Sequence, residues 1–187
     1  MRKSTRKGVV SKMLKSCAVT GPRPTRFKFT YNEHNKGCVR LKGRLRSQFT
    51  ELYRQGVRRF YVDGALGVGQ WSGEILLRLK EHPEYADIEL VVVMPYPGHD
   101  ARWDERSRQR LAFLIRHSAE HVTIGTTACR ESFLQRNQYM VDHADCLVAV
   151  YDGVHSPDTG ESYMVEYAEK RNVQIILIHP DTSMIIT

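Results

Sequence analysis

Arginine, glycine and carboxylate residues gather in five short stretches of this chain, each suited to a different piece of anion or acid–base chemistry. The first is T-G-P-R-P (20–24). After Thr20, Gly21 lets backbone N–H groups approach an anion with no Cβ in the way. Arg23, stiffened between two prolines, can clamp a phosphate or carboxylate through two parallel hydrogen bonds. The same residues also suit a tight turn carrying a surface arginine. The second is D-G-A-L-G-V-G (63–69), where Asp63, Gly64, Gly67 and Gly69 precede a helical pattern. Helix N-terminal amides hold anions in that setting, although a tight strand-to-helix turn needs glycines too. The third, P-Y-P-G-H-D-A-R-W (95–103), opens on Pro95 and holds His99. The fourth, G-T-T-A-C-R (125–130), leads into a helical segment holding Arg136-Asn137. Asparagine is a poor helix former, so this polar pair points either to a specific hydrogen-bonding task or to a solvated face. The fifth, Y-D-G-V-H-S-P-D-T-G-E-S (151–162), brings Thr159, Gly160 and Ser162 to a helix start. They can cap the helix, hold a ligand, or both.

Acid–base chemistry has few candidates. A general acid or base near a bond to be broken must be a positioned titratable group, and Glu74, Glu161 and Asp152 are the carboxylates whose places suit it. Of the eight histidines, His99 and His155 lie in these stretches, and neither has a serine or cysteine partner by spacing. No H-E-x-x-H occurs and the four cysteines form no C-x-x-C, so no metal site is expected. Cys17 and Cys146 read as small apolar strand residues. Cys129 opens a helix, where a thiolate can be stabilised. The glycines do not spell G-x-G-x-x-G, so a nicotinamide dinucleotide fingerprint is absent. Trp71 suits the core or a base-stacking platform.

These stretches must be positioned by regular elements. Apolar runs at 16–20, 58–63, 88–95, 121–125, 146–153 and 173–180 alternate with helix-period segments at 41–54, 70–80, 104–117, 131–143 and 162–170. The third and fifth runs are apolar almost throughout, the mark of strands covered on both faces. Strict alternation predicts an α/β fold: a Rossmann-like, doubly wound, mainly parallel sheet with helices on both faces. Ligands of such sheets bind beyond the carboxyl ends of the strands, where all five stretches fall. The connection 22–37 is long for its place, and long loops are often functional.

Composition sets the outer limits. The chain of 187 residues fits one domain, and no apolar run reaches the ~20 residues of a membrane span. No secretory pattern follows the basic N-terminus, so a cytoplasmic protein is expected. The net charge is +7, but residues 1–16 hold six basic residues and no acid, leaving 22 basic against 21 acidic residues elsewhere. The expected division is a basic, flexible tail over 1–15 and a folded domain over 16–187. Such a tail can attract phosphate backbones or be a solvated leader.

The same stretches resemble one family. T-G-P-R-P resembles the T-G-H-R-P of the YpsA-like proteins, a branch of the SLOG superfamily that includes the DNA-processing protein DprA and the LOG-type phosphoribohydrolases. G-A-L-G-V-G-Q-W-S-G-E (64–74) is similar to that family's G-x-A-L-G-V-D-x-W-A-A-E, and the 95–103 stretch to its P-x-P-x-Q-x-x-x-W. R-N-Q-Y-M-V-D-H-A-D-C-L-V-A-V-Y-D-G (136–153) is similar to R-N-x-x-M-V-D-x-S-D-x-L-I-A-V-Y-D-G, and V-E-Y-A (165–168) to the start of the last helix. The likeness spans 16–180. It departs at Gly69 (Asp in the family), at His99 (Gln) and at Thr159-Gly160-Glu161, where the family has G-G-T. A carboxylate there works against a phosphate cradle. The resemblance implies a SLOG fold with a site for nucleotides or their derivatives.

Three functions fit. The first is binding or sensing of a nucleotide-derived phosphate ligand, nucleotide or ADP-ribose-like, with no required cofactor. Arg23 and the amides around Gly21, Gly64 and Gly67 would take the phosphate. The second is a phosphoribohydrolase-like hydrolase of nucleotide or N-ribosyl bonds. The third is a DprA-like nucleic-acid binder, for which the tail is the basic element. A homo-oligomer is open in each.

Overall fold

A computed structural model describes residues 13–186. Six strands alternate with five helices: β1 (Ser16–Thr20), α1 (Lys36–Arg54), β2 (Arg59–Val62), α2 (Val68–Lys80), β3 (Glu89–Met94), α3 (Glu105–His117), β4 (Glu120–Thr123), α4 (Arg130–Asp142), β5 (Cys146–Val150), α5 (Gly160–Lys170) and β6 (Gln174–Ile178). A seventh strand, β7 (Ile185–Ile186), follows. The sheet order is β4-β3-β2-β1-β5-β6-β7. The first six strands run parallel, and β7 pairs antiparallel with β6.

The strands bury both faces, and two cores result. Val19, Val62, Val92 and Val148 point to one side, against Leu41, Leu45 and Phe49 of α1, Trp71 and Leu76 of α2, and Leu111 and Leu114 of α3. Ala18, Val91, Val93, Leu147 and Ala149 point to the other, against Met140 and Val141 of α4 and Met164, Val165 and Ala168 of α5. The chain is therefore doubly wound, as the alternation predicts.

Local chemistry sets the helix limits. Helix α1 begins at Lys36, earlier than its apolar periodicity indicates, because the Asn35 side chain accepts from the Gly37 amide at 2.8 Å. It stops at Gly56 (φ 110°), where the amides of Gly56 and Val57 donate to the carbonyls of Tyr53 and Leu52. That pair of bonds closes a helix around a left-handed residue. The long connection before α1 is shortened by a 3-10 turn at Pro24–Arg26.

Two expectations change. The antiparallel β7, two residues long, carries too little pattern to be seen in the sequence. The tail boundary at residue 15 also moves: Leu14 is buried in the core, and the Lys15 amide donates to Asp145 Oδ2 at 2.9 Å. The tail's first twelve residues lie outside the described residues. Among the described residues no helix is long and apolar enough to cross a membrane.

Candidate functional site

The strand order reverses between β1 and β5: β1 leads to β2, β3 and β4 on one side, and β5 to β6 on the other. The connections leaving β1 and β5 therefore part in opposite directions and leave a crevice at the carboxyl ends. A cleft of about 710 Å³ lies there, lined by Thr20, Gly21, Arg23, Asp63, Arg136 and Asn137, and by Thr159, Gly160 and Glu161 from the start of α5.

Arg136 is the cleft's fixed cation. It is only 7% exposed. Its guanidinium lies 3.2 Å from Asp63 Oδ2 and donates from Nε to Asn137 Oδ1 at 2.8 Å. Burial pulls its pKa below the ordinary arginine value, opposed by Asp63 and helped by the charge of Arg23; an arginine stays protonated regardless. Asp63 is itself fixed, since its other oxygen accepts from the Ala65 amide at 3.0 Å. Gly69 completes this contact: a Cβ there would stand 1.9 Å from Asp63 Oδ1. Glycine is therefore the residue that fits at 69 against the Asp63 carboxylate.

The other cations differ in availability. Arg26 is paired with Asp152 at 2.7 Å across the mouth of the crevice. The Val154 amide and then Arg26 hold the Asp152 carboxyl below its ordinary value. Among the described residues Arg130 reaches the Pro157 carbonyl, at 3.5 Å, and no carboxylate. Arg23 is exposed and has no ion-pair partner among the described residues. Arg23 and Arg130 are thus the cleft guanidiniums without a carboxylate partner among the described residues, and Arg23 also lacks a carbonyl contact there.

Glu161 lines the same cleft, half-buried in the first turn of α5. Burial pushes its carboxyl above the ordinary value, and the charges of Asp63 and Asp152 push the same way. Four aromatic residues, Tyr96, Trp103, Phe133 and Tyr163, also line the cleft, and the Arg136 guanidinium lies 5.8 Å from the centre of the Phe133 ring. Tyr96 meets Phe133 edge to face at 5.7 Å between centroids. His99 lines it too, 5.3 Å from Trp103. Burial lowers its pKa, and its Nε2 is buried without a hydrogen-bond partner among the described residues.

Several residues expected at the site lie elsewhere. Glu74 does not face the cleft. It lines a separate depression with Glu33, where Arg110 donates to both Glu74 oxygens at 2.6 and 2.8 Å. Burial alone would raise Glu33, yet hydrogen bonds from Arg110 and Lys42 bring it to about 2. Gly64, Gly67 and Gly69 build no phosphate cradle. A Cβ on Gly67 (φ 88°) would stand 2.7 Å from the Pro22 carbonyl, and the Val68 amide points to that same oxygen. The start of α2 is thus closed over by the turn after β1, and these glycines serve packing. Pro95 is buried, and its carbonyl accepts from the Gly125 amide at 2.7 Å. Ser162 is fully buried; its Oγ accepts from the Ser156 amide at 3.1 Å, so it holds the α5 loop rather than lining the cleft. Asp152 acts through Arg26 rather than as a wall residue. His155 is exposed and pairs with Glu166 outside the cleft. Trp71 is core, 1% exposed, against Phe27 and Phe29.

Three wall residues and two arginines escape the sequence reading. Phe133 and Tyr163 look like apolar positions of amphipathic helices and Arg26 like surface charge, whereas Tyr96 and Arg130 sit within the stretches 95–103 and 125–130 without standing out there. The signal available was the W of the 95–103 stretch.

The profile of the YpsA family, described as the YspA SLOG family, matches residues 17–183. UPF0398 proteins of Bacillus thuringiensis (strain Al Hakam) and Bacillus cereus (strain AH187) are each 31% identical over 161 residues, covering 84% of both chains. Among solved structures, DNA processing protein A from Helicobacter pylori, described for its single-stranded DNA binding mode, is similar with a TM-score of 0.55 and 16% identity. That match covers 87% of this chain and 64% of the other, and at such identity it bears on the fold alone.

Proposed function

The chain belongs to the YspA SLOG family, and on that premise we propose that it binds a phosphate-bearing, nucleotide-derived small molecule in the cleft between β1 and β5. The observation that carries this reading is Arg23: an exposed guanidinium with no ion-pair partner among the described residues, in a cleft it shares with the buried Arg136 and the rings of Tyr96 and Phe133. The phosphate goes to Arg23, beside the backbone of Thr20-Gly21 in the cleft lining, where Gly21 packs against Val68. Phe133 and Tyr96 offer π faces or edges to a base. The start of α5 takes a neutral, hydroxyl-bearing part of the ligand, because Glu161 stands where a phosphate would otherwise meet helix amides.

Calorimetry against nucleoside monophosphates, ADP-ribose and dinucleotides tests this. Arg23→Ala should weaken binding by about 1.5–3 kcal/mol, the usual size of a lost charged hydrogen bond, or roughly 10- to 150-fold. Equal binding by wild type and Arg23→Ala overturns the site. A hydrolytic reading is favoured by one observation. Glu161 is a carboxyl raised by burial inside the cleft, the state a general acid needs. Chromatography of the same mixtures decides it: product formation that Glu161→Gln abolishes makes the protein a hydrolase.

A further inference from the structure

The charge of this molecule is divided in a way its total conceals. Helix α1 carries Lys36, Arg40, Lys42, Arg44, Arg46 and Arg54 against the single acid Glu51. Residues 1–16 carry six basic residues and no acid, and everything outside these two segments holds 16 basic and 20 acidic residues. The net charge of +7 is thus confined to two short stretches on a body that is otherwise negative.

On α1 the positions are as informative as the count. Leu41, Leu45, Phe49 and Leu52 are fully buried, so the opposite stripe faces outward at a helical period of 3.6. Lys36, Arg40, Gly43, Ser47 and Arg54 fall on that stripe, flanked by Arg44 and Arg46, and all are exposed. Lys36 and Arg46 have no side-chain partner among the described residues. Arg40 and Arg44 donate to the backbone carbonyls of Asp181 and Ser183, which leaves their charge unneutralised by that contact. The carboxylates nearby are Glu33, paired with Lys42, Glu51, 3.8 Å from Arg54, and that of Asp181. Gly43 is a poor helix former placed mid-helix. A Cβ there would meet nothing within 4 Å, so no internal packing calls for it. It lets a partner approach the helix backbone closely. The described chain begins beside this helix: the Met13 side chain lies within 3.7 Å of where a Cβ on Gly56, just past α1, would stand.

We infer that the outward face of α1 is a docking surface for the phosphate backbone of a nucleic acid, separate from the cleft. Lys36 and Arg40 are about 6 Å apart along the axis, and the stripe continues through small residues between cations. That row suits a polymer of repeated phosphates. A membrane surface would ask for apolar side chains to insert, and the stripe offers only Val39. Recognition through phosphates alone is independent of base sequence and steeply dependent on salt.

Fluorescence anisotropy with a labelled random-sequence 20-base-pair DNA duplex tests the inference. Wild type should bind, with log affinity falling linearly in log salt. Lys36→Ala/Arg40→Ala/Arg46→Ala should lose at least ~10-fold at low salt, with a slope shallower by about 2–3, close to 0.9 per lost phosphate contact. Lys36→Ala/Arg46→Ala, which keeps the Arg40 bond to Asp181, should lose part of that, and circular dichroism checks folding of both. Arg23→Ala should bind the duplex as wild type does, so failure here and failure of the cleft reading are distinguishable. Deleting residues 1–12 should weaken binding and leave it sensitive to the α1 substitutions. Wild-type affinity in the triple variant, loss of all binding on deletion of 1–12, or binding to phosphatidylserine vesicles without binding to DNA would each overturn the inference.

Discussion

Single residues decide how the cleft treats charge. Arg136 and Asp63 form a pair that cannot be halved cheaply: removing one partner strands a buried charge, typically at about 3–5 kcal/mol. Glu161 behaves differently, because its folded pKa lies above the ordinary carboxyl value through burial, reinforced by Asp63 and Asp152. The protonated form therefore stabilises the fold. That contribution is complete below the unfolded carboxyl's pKa and is lost as the pH rises through the folded value. Glu161→Gln should remove this loss, so the variant's melting temperature should fall less than wild type's between acid and neutral pH. Identical pH profiles would refute the assignment. Cys129 is the exposed thiol among four free cysteines, the others being buried. Hydrogen bonds from the Ser132 hydroxyl and amide, and from Thr127, hold it below the usual thiol value. Titration of the native protein with Ellman's reagent should release one fast equivalent, absent in Cys129→Ser. A second fast equivalent would mean that Cys17, Cys38 or Cys146 is reached.

At the scale of elements, much of this was written in the sequence. The apolar runs of β3 and β5 announce strands covered on both faces, and the stripe Leu41, Leu45, Phe49, Leu52 announces α1. Thr20, Gly21, Arg23, Asp63, Thr159 and Gly160 were legible at strand ends or at a helix start and Arg136-Asn137 as an unusual polar pair within a helix, and they line one cleft. What the sequence could not give is direction. Three glycines in 63–69 suit amides turned toward a ligand or a turn packed under its neighbour, and only the approach of Pro22 to Gly67 decides for packing. Glu74 is one turn into α2, but the azimuth of that turn, toward Arg110, is set by how α2 meets α3. The short β7 was invisible for another reason: it is held by pairing with β6, and the turn before it by Arg40 and Arg44 of α1, rather than by any pattern of its own. It covers the edge of β6, and open edges recruit other strands. Truncation before residue 181 should therefore promote self-association, seen as added mass in light scattering; a truncated protein with wild-type mass would show that the edge needs no cover.

The whole molecule is organised about one seam. Cys17 and Cys146 are register partners at the centre of the sheet, yet 129 positions separate them along the chain. Contacts so distant in sequence carry a high cost of loop closure and tend to form late. The strands on the β2 side and those on the β6 side can each pair with near neighbours first, whereas the cleft has no existence until β1 meets β5. Its walls come from both sides: Arg23 and Asp63 from one, Glu161 from the other. Anything lodged there bridges this long-range join. It stabilises the native state by mass action, and where the β1–β5 join opens before the rest, it acts as a clasp on the rate of unfolding.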